Sequence, residues 1–148
     1  MRKGFGILQA LLVIVLVSGI LVIAMKYATV SVKQTADIYV KEASELFMDS
    51  AVELTLLAIS GYDRNVSNDC LKEVHVISSD KRFTADINIT KYFLYKDYNL
   101  TNCSRVQKIQ TEDSHGMVML EISVKTDPTN PKNKGKDIRL TRRTLQRP

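Results

Sequence analysis

The chain has 148 residues, 45% of them apolar and 25% charged, which allows one modest domain and excludes wholesale disorder. Its formal net charge of +5 is unevenly spread: Arg2 and Lys3 open the chain, Lys132–Arg147 holds seven bases against the single acid Asp137, and the stretch between is acidic by three. Such a body does not imply nucleic-acid binding, and the two cysteines, Cys70 and Cys103, are too few for a structural zinc site.

Residues Phe5–Met25 hold 17 of the 66 apolar residues in 21 positions and carry no charge; only Gly6, Gln9, Ser18 and Gly19 interrupt them. As a helix this segment spans roughly 30 Å, about one hydrocarbon core. Arg2 and Lys3 before it and Lys26 after it predict a single-pass transmembrane helix at 5–25, with the first few residues in the cytoplasm and everything after Lys26 across the membrane. A cleaved secretory signal, cut near Val22-Ile23-Ala24, is a competing reading, but its apolar region exceeds the usual length of about 7–15 residues. A plain signal anchor is a third.

The opening run Arg2-Lys3-Gly4-Phe5-Gly6-Ile7-Leu8-Gln9-Ala10-Leu11-Leu12 resembles the class III signal of type IV pilins and type II secretion pseudopilins. The resemblance implies that residues 1–4 are a basic leader, that a prepilin peptidase cuts between Gly4 and Phe5, and that the new Phe5 amine is methylated. It also implies that the apolar helix is retained, first as an anchor and then in a filament core. The implied partners are other pilin or pseudopilin subunits, the peptidase, an inner-membrane assembly platform and membrane lipid, with no cofactor. Members of this family usually carry Glu where this chain has Gln9. That carboxylate pairs with a neighbour's terminal amine, whereas an amide can accept a hydrogen bond without neutralising an ammonium. Gln9 therefore points to a minor or initiating subunit; Gly6, at the second mature position, is a smaller departure.

From Lys26 to Ser60 the chain stays helix-compatible, and Gly61 is a natural stop. Ala36, Tyr39, Val40, Ala43, Leu46, Phe47, Ala51, Leu54 and Leu57 recur at three- and four-residue steps and predict the face that packs on a core, with Lys33, Asp37, Lys41, Glu45, Asp49 and Glu53 opposite. Asp37–Lys41 and Lys41–Glu45 are i,i+4 pairs of opposite charge. The prediction is one helix from Phe5 to Ser60, about 80 Å long. Its first half is transmembrane and its second half, 26–60, is amphipathic. The pilin resemblance implies an α+β fold in which this long N-terminal helix packs on a small antiparallel β-sheet.

Within 61–148 the apolar period becomes two. Strands are predicted around Leu71–Val76, over Phe83–Ile89, through the aromatic Tyr92–Tyr98, at Val106–Ile109 and at Met117–Val124. Asp127-Pro-Thr-Asn-Pro131 breaks the pattern, and Ile138–Thr141 is expected to pair back on Met117–Val124, forming a basic C-terminal hairpin.

Cys70 and Cys103 lie in the region placed outside the cytoplasm, which favours a disulfide over two buried thiols. Four Asn-x-Ser/Thr triplets occur, at Asn65, Asn88, Asn99 and Asn102. The first three carry Asp two residues earlier, as Asp63, Asp86 and Asp97, which resembles the extended acceptor of bacterial oligosaccharyltransferases. They are candidate N-glycosylation sites, with turn-forming Asp/Asn pairs as the alternative. His75 and His115 have no companions at ligand spacing and read as surface or partly packed imidazoles. Asp127 and Asn130 could offer oxygens to calcium, a weak signal among prolines and lysines. The basic tail, Lys132, Lys134, Lys136, Arg139, Arg142, Arg143 and Arg147, reads as a solvated loop and a charge-protected edge strand. Nucleic acid stays a possible but unsupported partner, since no aromatic residue is interleaved. No nucleophile elbow, P-loop or zinc-protease motif is present, and no catalytic or metal-ligating residue is assigned. The expected function is a non-enzymatic minor pilin or pseudopilin of a pilus, competence or secretion filament. The alternative is a signal-anchored periplasmic binding or scaffolding protein of an envelope complex.

Overall fold

The computed structural model describes residues 5–63, 69–96, 102–133 and 136–148. Helix α1 runs Phe5–Ser60, followed by strands β1 (Glu73–Ile77), β2 (Phe83–Tyr95), β3 (Val106–Ile109), β4 (Met117–Thr126) and β5 (Arg139–Gln146). Short 3-10 turns at Glu112–Ser114 and Pro131–Asn133 flank β4. The fold class is α+β, as the sequence predicts. The chain divides into two compact units, Met1–Tyr39 and Val40–Pro148.

In the first unit the helix from Gly6 to Thr35 is exposed throughout. Its uncharged, largely aliphatic part up to Met25 favours the helix because the backbone satisfies its own hydrogen bonds without side-chain help. Ser18 and Thr29 return their hydroxyls to carbonyls three residues back, Val15 O and Lys26 O, at 2.8 Å each, so neither exposes an unsatisfied donor.

In the second unit, Val40, Ser44, Met48, Ala51, Val52, Thr55 and Ile59 are buried. They recur at steps of three and four and meet the buried sheet residues Phe83, Ala85, Ile87, Ile89, Tyr92, Leu94, Val118, Leu120, Ile122 and Val124. Phe47 closes one side by stacking on Phe83, with ring centroids 5.7 Å apart. This stripe is rotated from the predicted one. Val40 and Ala51 are buried and Ala43 and Phe47 pack partly, but Leu46, Leu54 and Leu57 are 71%, 48% and 68% exposed. Hydroxyls account for the difference. Ser44 donates to Lys41 O at 2.6 Å and Thr55 to Ala51 O at 2.7 Å, which lets two small polar residues occupy core positions. The predicted Lys41–Glu45 pair is present at 3.9 Å, on the surface.

The sheet order is β1-β2-β4-β5 with antiparallel neighbours; β3 joins β2 as a parallel strand. The parallel pairing departs from the all-antiparallel expectation. The two strand candidates Phe83–Ile89 and Tyr92–Tyr98 are mostly one strand, β2, bulged at Thr90 where the register to β4 shifts between Ile89 and Lys91. The bulge changes the buried positions from odd (83, 85, 87, 89) to even (92, 94), which sequence periodicity reads as a strand end. Thr90 Oγ1 donates to Met119 O at 3.1 Å across the irregularity. The last strand reaches Gln146, beyond the predicted Thr141, because β4 continues to offer ladder partners as far as Val118.

β1 and β3 share one edge of β2 and run in opposite directions, so their N-terminal ends meet opposite residues 89–91. A cystine joins them there: Cys70 and Cys103 are disulfide-bonded with Cα atoms 5.3 Å apart, each three residues before its strand. Arg105 fills the break in the ladder, its Nη1 donating to Lys72 O (2.7 Å), Ile89 O (2.6 Å) and Asn88 Oδ1 (2.6 Å). Tyr92 Oη adds a bond to Leu71 O at 2.7 Å. A four-residue strand such as β3 has little ladder of its own, so these links set its position. Replacing both Cys70 and Cys103 by serine should lower unfolding free energy by about 3–4 kcal/mol, read as a lower urea midpoint. An unchanged midpoint would remove the cystine from this role.

Candidate assembly surface

The surface with most unspent apolar area is α1 itself. Gly6–Thr35 makes a helix long and apolar enough to cross a membrane by length and composition. Gln9 projects from this exposed stretch; Phe5 is the first helical residue, and Gly4 lies outside the described residues. In the second unit, Leu46 and Leu57 lie three turns apart on one line. Met48 and Thr55, in the buried stripe, sit about 200° around the helix from them. The second half of α1 thus carries two apolar faces, one spent on the sheet and one left in solvent.

The sheet face away from the helix is polar and concave, a depression of about 690 Å3 lined by Glu73, His75, Asp86, Asn88, Ser123 and Arg139 among others. Strand alternation puts these side chains outward, opposite the core set. His75 Nδ1 donates to Asp86 Oδ1 at 2.6 Å, and Lys125 Nζ reaches Asp86 Oδ2 at 3.3 Å. Partial burial raises the Asp86 pKa, but the bonds from His75 and Lys125 outweigh it and hold the carboxyl below its ordinary value. One cross-strand row reads His75–Asp86–Ser123–Thr141. It contains the residue types of a hydrolytic triad in the wrong order, for Asp86 stands between the imidazole and the hydroxyl, two strand spacings or about 10 Å apart. Ser123 instead accepts from Arg139 Nε at 3.4 Å.

Of the three acid-preceded sequons, Asn65 and Asn99 lie outside the described residues. Asn88 stands in the middle of β2, between β1 and β4, with its side-chain oxygen held by Arg105. Asn102, the fourth, is exposed next to the cystine.

The loop joining β4 to β5 is organised by side chains whose roles the sequence did not announce. Asn133 is fully buried; its Nδ2 donates to Arg82 O (3.0 Å) and Asp127 O (2.7 Å), and its Oδ1 accepts from Arg82 Nε (3.0 Å). The oxygens considered for calcium serve turns instead. Asp127 Oδ1 accepts from Thr129 N and Oγ1, and Asn130 Oδ1 accepts from Lys132 N. Among the described residues no group of three or more His, Cys, Asp or Glu is placed to hold a metal. His115 Nδ1 accepts from the Tyr95 backbone, packing its ring beside β2. In the basic tail, Arg142 bonds Asp49 on the helix at 2.6 Å, Arg147 reaches His115 O at 3.4 Å, and Lys134 lies outside the described residues.

Among the described residues four carboxyls titrate below their ordinary value of 3.8: Asp69 and Asp127 chiefly through hydrogen bonds from Cys70 N and from Thr129, and Asp80 and Asp86 through bonds that overcome desolvation. A depressed folded pKa adds stability above the unfolded value and loses it as pH falls through the folded value. Thermal unfolding should therefore be flat from neutral pH down to about pH 5 and drop below about pH 4, and Asp86→Asn should flatten part of that drop. Identical acid limbs for the two proteins would exclude Asp86 from the effect.

Comparison of the chain with protein-family models, curated proteins and solved structures finds no match in any of the three. The architecture is pilin-like: a long apolar N-terminal helix whose second half packs on a predominantly antiparallel sheet.

Proposed function

We propose that the chain is a minor pilin or pseudopilin, a non-enzymatic subunit built into a membrane-derived filament through α1. The observation that carries this reading is the excess of apolar helix surface: Gly6–Thr35 is exposed, and Leu46, Leu54 and Leu57 stay exposed after the sheet is packed. Lipid can cover the first part but not the second, which lies beyond one hydrocarbon thickness. Helix-to-helix packing between subunits covers both. Patches of this kind mark interaction sites rather than solvent faces.

In the proposed mechanism, Arg2 and Lys3 orient the helix with its N-terminus in the cytoplasm of a bacterial inner membrane, and the sheet domain folds in the periplasm. The buried cystine fits an oxidising compartment. A prepilin peptidase removes residues 1–4, the Phe5 amine is methylated, and the assembly platform lifts the helix from lipid into a bundle of like helices. Van der Waals packing holds the bundle. Gln9 supplies a hydrogen bond at the place where a carboxylate would neutralise the amine, so the subunit takes a minor or initiating position.

Cysteine cross-linking tests the surface. With Cys70 and Cys103 paired, Leu57→Cys introduces the one reactive thiol among the described residues. In membranes of cells carrying the assembly machinery, Leu57→Cys should give intermolecular disulfides, and Glu73→Cys, on the opposite side of the sheet, should not. Monomer alone from Leu57→Cys would favour the anchored scaffold.

A further inference from the structure

The face of β5 turned toward the helix carries Leu140, Arg142, Thr144 and Gln146, opposite the buried β4 residues Val124, Ile122, Leu120 and Val118. A strand covered by the helix would be apolar at these positions; this one is polar at three of four, because α1 stops short of it. What remains is a cleft of about 330 Å3 between α1 and β5, lined by Asp49, Val52, Glu53, Leu56, Arg142, Thr144 and Gln146. Its floor is aliphatic, Val52 and Leu56, and its helical rim is acidic, Asp49 and Glu53 one turn apart. Arg142 is committed to Asp49 at 2.6 Å, and Glu53 has no ion pair or hydrogen bond to a described residue.

The matching cation is on the same strand, facing the other way. Arg139 bonds Ser123, Arg142 bonds Asp49 and Arg147 bonds His115 O, whereas Arg143 is exposed without such a bond among the described residues. Strand alternation places Arg143 on the outer sheet face, beside Glu121, and leaves Glu53 on the helix side. The sheet separates the two charges within one molecule, so they can meet only between molecules.

We propose that the α1–β5 cleft receives the Arg143 side chain of a second copy of this chain, its aliphatic stem on Val52 and Leu56 and its guanidinium on Glu53. A long basic side chain suits a cleft with an apolar floor and an acidic rim. The two patches differ, so the contact is heterologous and can propagate along an assembly. It rests on the filament reading for the setting that brings two copies together. It does not use the Phe5 amine, so a copy bearing Gln9 can still meet its like through the second unit.

The test uses the full chain in membranes. Chains carrying Glu53→Cys and chains carrying Arg143→Cys are co-expressed, and disulfide-linked dimer is measured on non-reducing gels. Dimer should exceed that from either variant alone by about tenfold. In a second arm, Glu53→Arg and Arg143→Glu are each introduced and then combined in one chain, and dimer captured by an amine-reactive cross-linker is measured. Each single reversal should lower dimer by roughly tenfold and the combination should restore it. Absence of the mixed cysteine dimer, or a double reversal no better than the single ones, would overturn the proposal. If Leu57→Cys still cross-links in that case, only this contact falls and the filament reading stands.

Discussion

Everything in the second unit depends on one contact, the burial of the Val40–Ile59 stripe of α1 on β2 and β4. Neither partner is stable without it. The helix half is amphipathic and gains most of its stability from packing rather than propensity, and a sheet with one apolar face must bury that face on something. Seven helical side chains, two of them hydroxyls tied back to their own helix, meet ten from the sheet. The close approach that Ser44, Ala51 and Thr55 permit brings Met48 and Ile59 into full burial.

That contact uses only part of the helix. Gly6–Thr35 in the first unit is exposed, and the second unit buries one stripe of its helix while Leu46 and Leu57 remain on the far side. The structural economy of the chain is therefore asymmetric. The sheet's apolar face is satisfied within the molecule, and the helix's is not. A short parallel strand, a bulge and a cystine close the other side of the sheet, with Arg105 supplying bonds where the ladder is interrupted. These local devices let a thin polar domain hold one geometry while the outer face of its helix stays exposed.

Much of this was legible in the sequence, and the parts that were not have physical reasons. The C-terminal end of α1 follows from the absence of Pro and Gly between Ile20 and Ser60 and from Gly61 after it, and β1 and β4 follow from their alternation. The phase of the buried stripe was missed because leucines lie on both sides of the helix. The true stripe recruits Ser44 and Thr55, which a polarity count assigns to water. The continuity of β2 was missed because a one-residue bulge at Thr90 inverts the alternation. Arg105, Arg82 and Asn133 act through long-range geometry, between residues up to 51 apart, that no local pattern encodes. The parallel pairing of β3 could not be read from four residues. The cystine could be expected from compartment and number, though not its place at the meeting point of two strands.

The central claim, that this helix is a processed and retained filament anchor, is tested most directly by the intact mass of the membrane-bound chain expressed with and without a prepilin peptidase. The account predicts that the peptidase removes Met1–Gly4, that one methyl group is added at Phe5, and that both changes disappear when Gly4 is replaced by valine. A chain that keeps residues 1–4 in the presence of an active peptidase would contradict it, as would one cut after Ala24.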